Sequence, residues 1–502
     1  MNRDNPSPAF IAPCTSGIEG LDNILNGGFP SGCFHLIHGD PGSGKTTLAL
    51  QFLLEGVRKG EKVFYITLSE TRRELERVAQ SHDWNLAAIP MVELSYFEDL
   101  LQPEMQLTVF HSGEMVLNKV TGRLLEEVAA IRPARVVFDS LSEYRLMSES
   151  PLRFRRMLLG LKRELERYES TVLLLDDKAD TRGSTLHPNV LSLTHGVIEM
   201  EQYTPDYGTA RRRLRISKMR GLSYREGYHD YVIEKGGLKI FPRLIASEHY
   251  ADFKREPVSS GIPELDSLFG GGLDRGTTTL ILGPAGCGKS SLALQYVSKL
   301  ASEGKKGMVF AFDETVGLMC HRVEALGMPL CEYIANGTVI ARQVDPAELS
   351  PGEFAVRVQK GVDDGAKIVV IDSLNGYLNA MPGEKYLFNQ LHELSAYLNQ
   401  QGVITILVLA QHGLVNALEG PVDLSYLCDT VVNLRFFEAQ GHVRQSVAVI
   451  KKRSGYHEKT IREFKLQGGK GVQIGEPLSE FSGVLSGTPV FHGAREQIMK
   501  SS

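Results

Sequence analysis

Two stretches of the chain carry the residues for holding a phosphate. Gly39-Asp-Pro-Gly42-Ser-Gly44-Lys45-Thr46 and Gly283-Pro-Ala-Gly286-Cys-Gly288-Lys289-Ser290 both match the spacing G-x-x-x-x-G-K-[ST]. In such a loop the glycines let successive backbone N–H groups converge on phosphate oxygens, and the helix that follows adds the positive end of its dipole. Lys45 and Lys289 would reach the β- and γ-phosphates of ATP, Thr46 and Ser290 would offer hydroxyls to Mg²⁺, and Thr47 and Ser291 would complete the nucleotide-binding set. Each loop follows an apolar run and precedes the same four residues, LALQ, at 48–51 and 292–295. That shared context makes a mere glycine turn the weaker reading.

Phosphate chemistry also needs carboxylates. Asp139 ends the run RVVF and Asp372 ends IVVI, where an acid beside the loop would hold the metal through water; the competing reading is a cap on the next element. Glu70 follows FYITLS and Asp313-Glu314 follows VFAF. An acid at the carboxyl edge of a strand points into the crevice where α/β sheets bind ligands, which suits a general base or water orienter. The alternative is a charge interaction with a helix N-terminus. Adjacent acids occur in the second stretch only.

These residues need a scaffold, and the chain describes one twice. Ser16-Gly-Ile-Glu-Gly-Leu-Asp22 recurs as Ser260-Gly-Ile-Pro-Glu-Leu-Asp266, and Lys45 recurs as Lys289, at an offset of 244; Asp139 recurs as Asp372, and Lys218-Met-Arg220 as Lys451-Lys-Arg453, at 233. A period this long implies two tandem domains, since solenoid repeats run only about 20–50 residues. The expected organisation is a leader at 1–13, a first domain at 14–245, a linker at 246–258, a second domain at 259–490 and a tail at 491–502. Alternating apolar runs and amphipathic stretches predict an α/β fold with a mostly parallel sheet covered by helices on both faces. In the first copy strands are expected at Cys33–His38, Lys62–Leu68, Arg135–Phe138 and Thr171–Leu175, with an antiparallel tail near Val197–Gln202 and Arg211–Lys218. In the second they fall at Thr278–Leu282, Gly307–Phe312, Lys367–Ile371 and Val403–Leu409. Helices are expected from Lys45 and Lys289, and at Leu152–Glu169 and Tyr386–Gln400.

Composition narrows the class further. The 502 residues are 42% apolar and 23% charged, as in ordinary globular proteins, and 55 basic against 60 acidic residues leave a net charge of −5. No global basic field exists to gather nucleic acid or anionic lipid. The longest apolar stretches are of strand length, short of the roughly 20 residues that span a bilayer. The six cysteines form neither a CxxC pair nor a zinc-ligand cluster, which fits reduced thiols in the cytoplasm.

The order of SGIEGLD and SGIPELD before the loops, SET and DET after them, and KMRG and KKRSG near the domain ends resembles the KaiC family of circadian-clock ATPases and autokinases over about residues 14 to 490. The resemblance implies RecA-like domains assembled as a homohexameric double ring with ATP between neighbouring subunits. Lys218, Arg220, Lys451 and Arg453 would then reach phosphates bound by the next subunit; the competing readings are surface basicity or a DNA-facing patch. It further implies slow hydrolysis in the first domain and serine or threonine autophosphorylation in the second, with Asp313 as the base and Glu314 in support. Ser425 matches the family's acceptor segment, with Tyr426 in place of the second acceptor. Ser192 lies opposite Ser425 in the first copy, so a structural hydroxyl is the competing reading. Ser69-Glu70 stands where the family has paired glutamates, which leaves Glu70 as the first-domain catalytic acid. A KaiB-like regulatory partner and a clock or signalling role belong to the same implication, whereas the C-terminal segment gives no support for an activator's docking site. Two other classes fit the loops: a nucleic-acid-dependent RecA-type motor, and a nucleotide-gated scaffold without kinase activity.

Overall fold

The computed structural model describes residues 12–93, 112–146, 150–178, 188–205, 208–345, 349–379, 387–411, 425–439, 441–485 and 489–492. The leader up to residue 11, the tail beyond 492, Tyr386, and Asp423 and Leu424 of the acceptor segment lie outside the described residues. The chain divides into two compact units, Met1–Arg243 and Leu244–Ser502.

In the first unit the strands are β1 Phe34–Gly39, β2 Val63–Thr67, β3 Met91–Glu93, β4 Arg135–Asp139, β5 Thr171–Asp177, β6 Gly196–Tyr203, β7 Arg211–Met219, β8 Tyr228–Glu234 and β9 Gly237–Phe241. They form one sheet in the order β3-β2-β4-β5-β1-β6-β7-β8-β9. Neighbours from β3 to β6 are parallel, and those from β6 to β9 are antiparallel. The parallel strands are apolar on both faces because helices cover both. Phe34, Leu36, Val136 and Phe138 enter one core, while Ile37 and Val137, on the alternate pleat, enter the other. The helix Lys45–Arg58 closes the second of these cores with Leu48, Ala49, Phe52 and Leu53.

The second unit begins with a short ribbon, β10 Pro257–Val258 against β11 Leu273–Asp274, followed by β12 Thr278–Gly283, β13 Lys306–Ala311, β14 Val339–Gln343, β15 Ala366–Asp372, β16 Ile404–Ala410, β17 Thr430–Ala439, β18 His442–Lys452, β19 Arg462–Gln467 and β20 Gly471–Pro477. Its large sheet, β14-β13-β15-β16-β12-β17-β18-β19-β20, repeats the first strand for strand. Two tandem RecA-like α/β domains are therefore present. The terminal hairpins escaped the sequence reading, as did the short edge strands β3 and β14, whose burial is partial. Residues 246–258, read from sequence as the linker, are built onto the second unit: Ala246 is in its core, its amide donates to Glu393 at 3.2 Å, and Gln401 Nε2 donates to the carbonyl of His249 at 2.9 Å. Polarity of that stretch concealed these contacts. Among the described residues, no helix is long and apolar enough to cross a membrane. All six cysteines are free thiols.

One polar residue inside the first unit joins its first segment to the sheet. Arg135, at the start of β4, is fully buried; it pairs with Glu61, donates to the carbonyls of Thr15 and Phe52 at 2.6 and 2.9 Å, and stacks on the Phe52 ring. It thereby ties the segment before the first motif to the helix Lys45–Arg58 and the sheet. Ile368 takes the corresponding place in the second unit, where the contact is apolar. Arg135→Met should destabilise the first unit by about 3 kcal/mol, since a buried pair loses one partner. Arg357→Met, which removes an exposed pair with Glu353, should stay below about 1 kcal/mol. Denaturant unfolding of the full chain measures both.

Candidate functional site

Both glycine loops leave the carboxyl end of the strand at the middle of their sheet and enter a helix. Gly44 and Gly288 cap the helices Lys45–Arg58 and Lys289–Ser302 with φ of +91° and +95°, in the left-handed region that favours glycine. Space is short as well as the dihedral: a Cβ on Gly44 would come within 2.6 Å of Ile233 Cδ1, and one on Gly288 within 2.6 Å of Phe464 Cε1. Gly42 and Gly286 are also left-handed, at +78° and +79°. Gly39 and Gly283 are excluded from bearing a side chain by the carbonyls of Met200 and Leu434, each 2.4 Å from a Cβ built there. Lys45 and Lys289, at the first helical turn, are buried.

In the first unit the ends of β2, β4, β5 and β1 lie close together and bring four ionisable groups to one place. Lys45 Nζ donates to the carbonyls of Gly39 and Asp40 at 2.9 and 3.0 Å and pairs with Asp177 at 2.7 Å. Asp139, at the end of β4, accepts from the Tyr65 hydroxyl at 2.6 Å and from Thr46 Oγ1 at 3.4 Å. Burial raises the Asp139 carboxyl above its ordinary range, opposed by the Tyr65 hydrogen bond. Glu70 is held by its backbone, its amide donating to Thr67 Oγ1 at 3.0 Å, while its buried Oε2 has no hydrogen-bond partner among the described residues. Burial first, then the charges of Asp139, Glu74 and Asp177, push its carboxyl up to about 7 against the pull of Lys45. Thr47 lies buried on the same helix turn. A threonine hydroxyl beside a buried carboxylate is a donor set suited to Mg²⁺, which takes few protein ligands and keeps phosphate oxygens and water.

The second unit shares this frame but distributes its charges differently. Lys289 Nζ donates to the carbonyl of Pro284 at 2.6 Å and lies 3.8 Å from Cys287 Sγ. The Asp372 carboxyl is raised, chiefly by burial and opposed by a hydrogen bond from the Ser290 hydroxyl. Asp313 accepts a hydrogen bond from the Ser373 hydroxyl. Glu314 is paired with Arg322, whose other arm donates to Ser291 Oγ at 2.9 Å. The peptide bonds Asp139–Ser140 and Asp372–Ser373 are both cis, a further match between the copies. Sequence reasoning passed over Tyr65, Asp177, Ser373 and Arg322. The acids of LLLDDK at the end of β5 were the one available signal, and comparison of the repeats obscured it because Ala410 stands opposite Asp177.

The four cations assigned to a neighbour's phosphates lie at the other end of their own sheets. Met219 faces Gly196, which pairs with His35, four residues before Gly39. Lys218 Nζ donates to the carbonyls of Leu191 and Thr194, and the Arg220 amide donates to the carbonyl of His195. Burial lowers the Lys218 ammonium below its ordinary value. In the second unit Lys451 Nζ donates to Cys428 at 2.9 Å, and Arg453 donates through Nη2 to the carbonyl of Tyr426 at 3.1 Å. Ser425 opens the short 3-10 turn Ser425–Leu427, and Tyr426 is 57% exposed. The basic run of β7 is largely matched in charge: Arg213 pairs with Glu201 and Arg215 with Glu199 across the sheet.

Two RecA-like sheets, each presenting a glycine loop, a buried lysine and a strand-end carboxylate at one edge, define a tandem P-loop ATPase. The family model described as "ATPase: KaiC" matches residues 14–245 and 258–479, and the chain belongs to that family. It is 26% identical over 492 residues to a circadian clock protein KaiC3 of Synechocystis sp., spanning 97% of this chain and 96% of that one. It is 25% identical over 496 residues to a circadian clock oscillator protein KaiC of Synechococcus elongatus, with 97% and 93% covered. A circadian clock protein KaiC2 of Synechocystis sp. is 26% identical over 494 residues, with 97% and 85% covered.

The raised Glu70 carboxyl links stability to pH. Its protonated form is favoured in the fold, so this stabilisation is fully present below the ordinary value of 4.5 and is lost as pH rises through about 7. In nucleotide- and metal-free protein, the melting temperature of the first unit should fall more between about pH 5 and about pH 8 than in Glu70→Gln, which has no carboxyl to deprotonate. Thermal unfolding across that range checks it.

Proposed function

We propose that this chain works as an oligomeric Mg²⁺-dependent ATPase switch, with hydrolysis mainly in the first domain and phosphoryl transfer to Ser425 in the second. The observation that carries the reading is the unequal state of the two catalytic acids. Among the described residues Glu70 has a buried oxygen free of hydrogen-bond partners, whereas Glu314 is engaged by Arg322. An unpartnered carboxylate can orient water or accept its proton; one held by a guanidinium is a poorer base. Asp313, bound only through the Ser373 hydroxyl among the described contacts, is then the second-domain acid left to accept a proton from a serine hydroxyl.

In each site the loop amides and lysine would cradle the β- and γ-phosphates, and the helix N-terminus would add to the positive field. Thr46 with Asp139, and Ser290 with Asp372, would hold Mg²⁺, which supplies charge neutralisation at the transferring phosphoryl group. Lys218, Arg220, Lys451 and Arg453 would act on a neighbouring subunit's nucleotide. Their position at the sheet end remote from their own loops supports that reading, and a cation supplied in trans makes turnover depend on assembly. The homohexamer, a KaiB-like regulatory partner and a clock or signalling output are proposed on family likeness.

Mass spectrometry after incubation with Mg-ATP tests the division of labour. Wild type should gain one phosphoryl group on Ser425, and Lys289→Ala should lose it while retaining measurable ATP hydrolysis. Lys45→Ala should lose most hydrolysis and weaken assembly, read by light scattering. Self-phosphorylation surviving in Lys289→Ala contradicts the assignment of the second domain, and unchanged labelling in Ser425→Ala contradicts the acceptor.

A further inference from the structure

The carboxylate facing Lys45 has no role in the scheme above. Asp177 ends β5 directly beside Gly39 of β1, and Lys45 Nζ binds both, the carbonyl of Gly39 at 2.9 Å and Asp177 Oδ1 at 2.7 Å. The backbone there is pinned: the amide of Asp177 donates to Ser142 Oγ at 3.2 Å, that hydroxyl donates to Asp176 Oδ1 at 2.7 Å, and the amide of Lys178 donates to the carbonyl of Gly39 at 3.0 Å. Asp177 is thus presented to the lysine by a rigid strand end rather than drawn to it by a loose loop. Its side chain is 45% exposed beside the lysine of the phosphate loop, so the pair is open to an incoming anion.

The second unit supplies an internal comparison. Ala410 occupies the equivalent register position beside Gly283, with its amide and carbonyl taken by the Asn375 side chain at 2.7 and 3.0 Å. Among the described residues, Lys289 has carbonyl and sulfur neighbours and no carboxylate within ion-pair distance. One loop lysine is therefore neutralised by its own chain, and the other, among the described residues, is not.

We propose that Asp177 is a built-in competitor for the phosphates of a nucleoside di- or triphosphate: it holds Lys45 when the first site is empty and must yield the lysine when nucleotide binds. A fixed anion at the mouth of the loop also repels the incoming phosphates. The first site then binds nucleotide more weakly than its cradle would otherwise allow and releases the diphosphate faster, while the second, lacking this anion, retains it. Asp177 is a positioning residue that tunes affinity through Lys45. The inference rests on nucleotide binding at the first loop, as proposed above.

The test uses the full chain with one site silenced and a fluorescent ADP as probe, titrated with Mg²⁺ and with the metal chelated. In a Lys289→Ala parent, Asp177→Asn should tighten binding about two- to fivefold, the range of partly exposed ion pairs, in both conditions. It should also lower the KM for ATP without raising kcat, and Asp177→Glu should restore parental affinity. In a Lys45→Ala parent, Ala410→Asp should weaken binding at the second site. Weaker binding in Asp177→Asn, or an effect confined to the Mg²⁺ titration, overturns the inference by making Asp177 a structural or metal-sphere group. An unchanged affinity overturns it while leaving first-site binding intact. Failure of the Lys289→Ala parent to bind ADP at all sinks the reading of the first site, and this inference with it.

Discussion

An ammonium group buried at the mouth of a glycine loop must find oxygen to face, and how each domain supplies it organises both sites. Lys45 and Lys289 are nearly excluded from water because the loop wraps back over the first turn of its helix. That wrap exists only because Gly44 and Gly288 adopt left-handed dihedrals with a side chain of the antiparallel tail pressed against them. Carbonyls of the loop itself satisfy part of the lysine's demand. What completes it differs: a carboxylate in the first unit and, among the described residues, none within ion-pair distance in the second.

Crowding acids around one lysine has consequences at a distance. Burial first, and then the charges of Asp139, Glu74 and Asp177, raise the cost of ionising Glu70, and burial with Asp177 does the same for Asp139, so the first site is poised with a carboxyl near neutrality. The second site relieves the same crowding by adding a cation: Arg322, on the helix Val316–Ala325, engages Glu314 and reaches Ser291 on the loop helix. Val78 occupies the matching place in the first copy and offers no such relief. One duplicated scaffold thus carries two charge arrangements.

The antiparallel strands do more than finish the sheet. Tyr231 on β8 donates to the carbonyl of Ser43, Leu238 on β9 donates through its amide to Gln51, and Phe464 on β19 packs beside Gly288. These contacts brace the loop from the side opposite the carboxylates. Two others of the antiparallel set, β7 and β18, carry Lys218 and Lys451 to the far end of the sheet, apart from the cradle.

Much of this was written in the linear chain. Glycine spacing, apolar runs of strand length and a repeat of 244 residues define two P-loop domains, because those signals reflect backbone geometry and burial that any folded version must satisfy. Asp139 and Asp372 were legible for the same reason, since a strand-end acid after a buried run has few other places to go. Partnership was not legible. That Asp177 faces Lys45, that Tyr65 rather than a neighbour in sequence holds Asp139, and that Arg322 takes Glu314 depend on which strands lie side by side. Sheet order is set by packing of both faces at once, and an ion pair across it spends the charges of residues more than a hundred positions apart, as Lys45 and Asp177 are. The chain alone named the loop lysines and the strand-end acids Asp139 and Asp372; only the folded sheet decided that Asp177 and Arg322 join them and which of these groups neutralise each other.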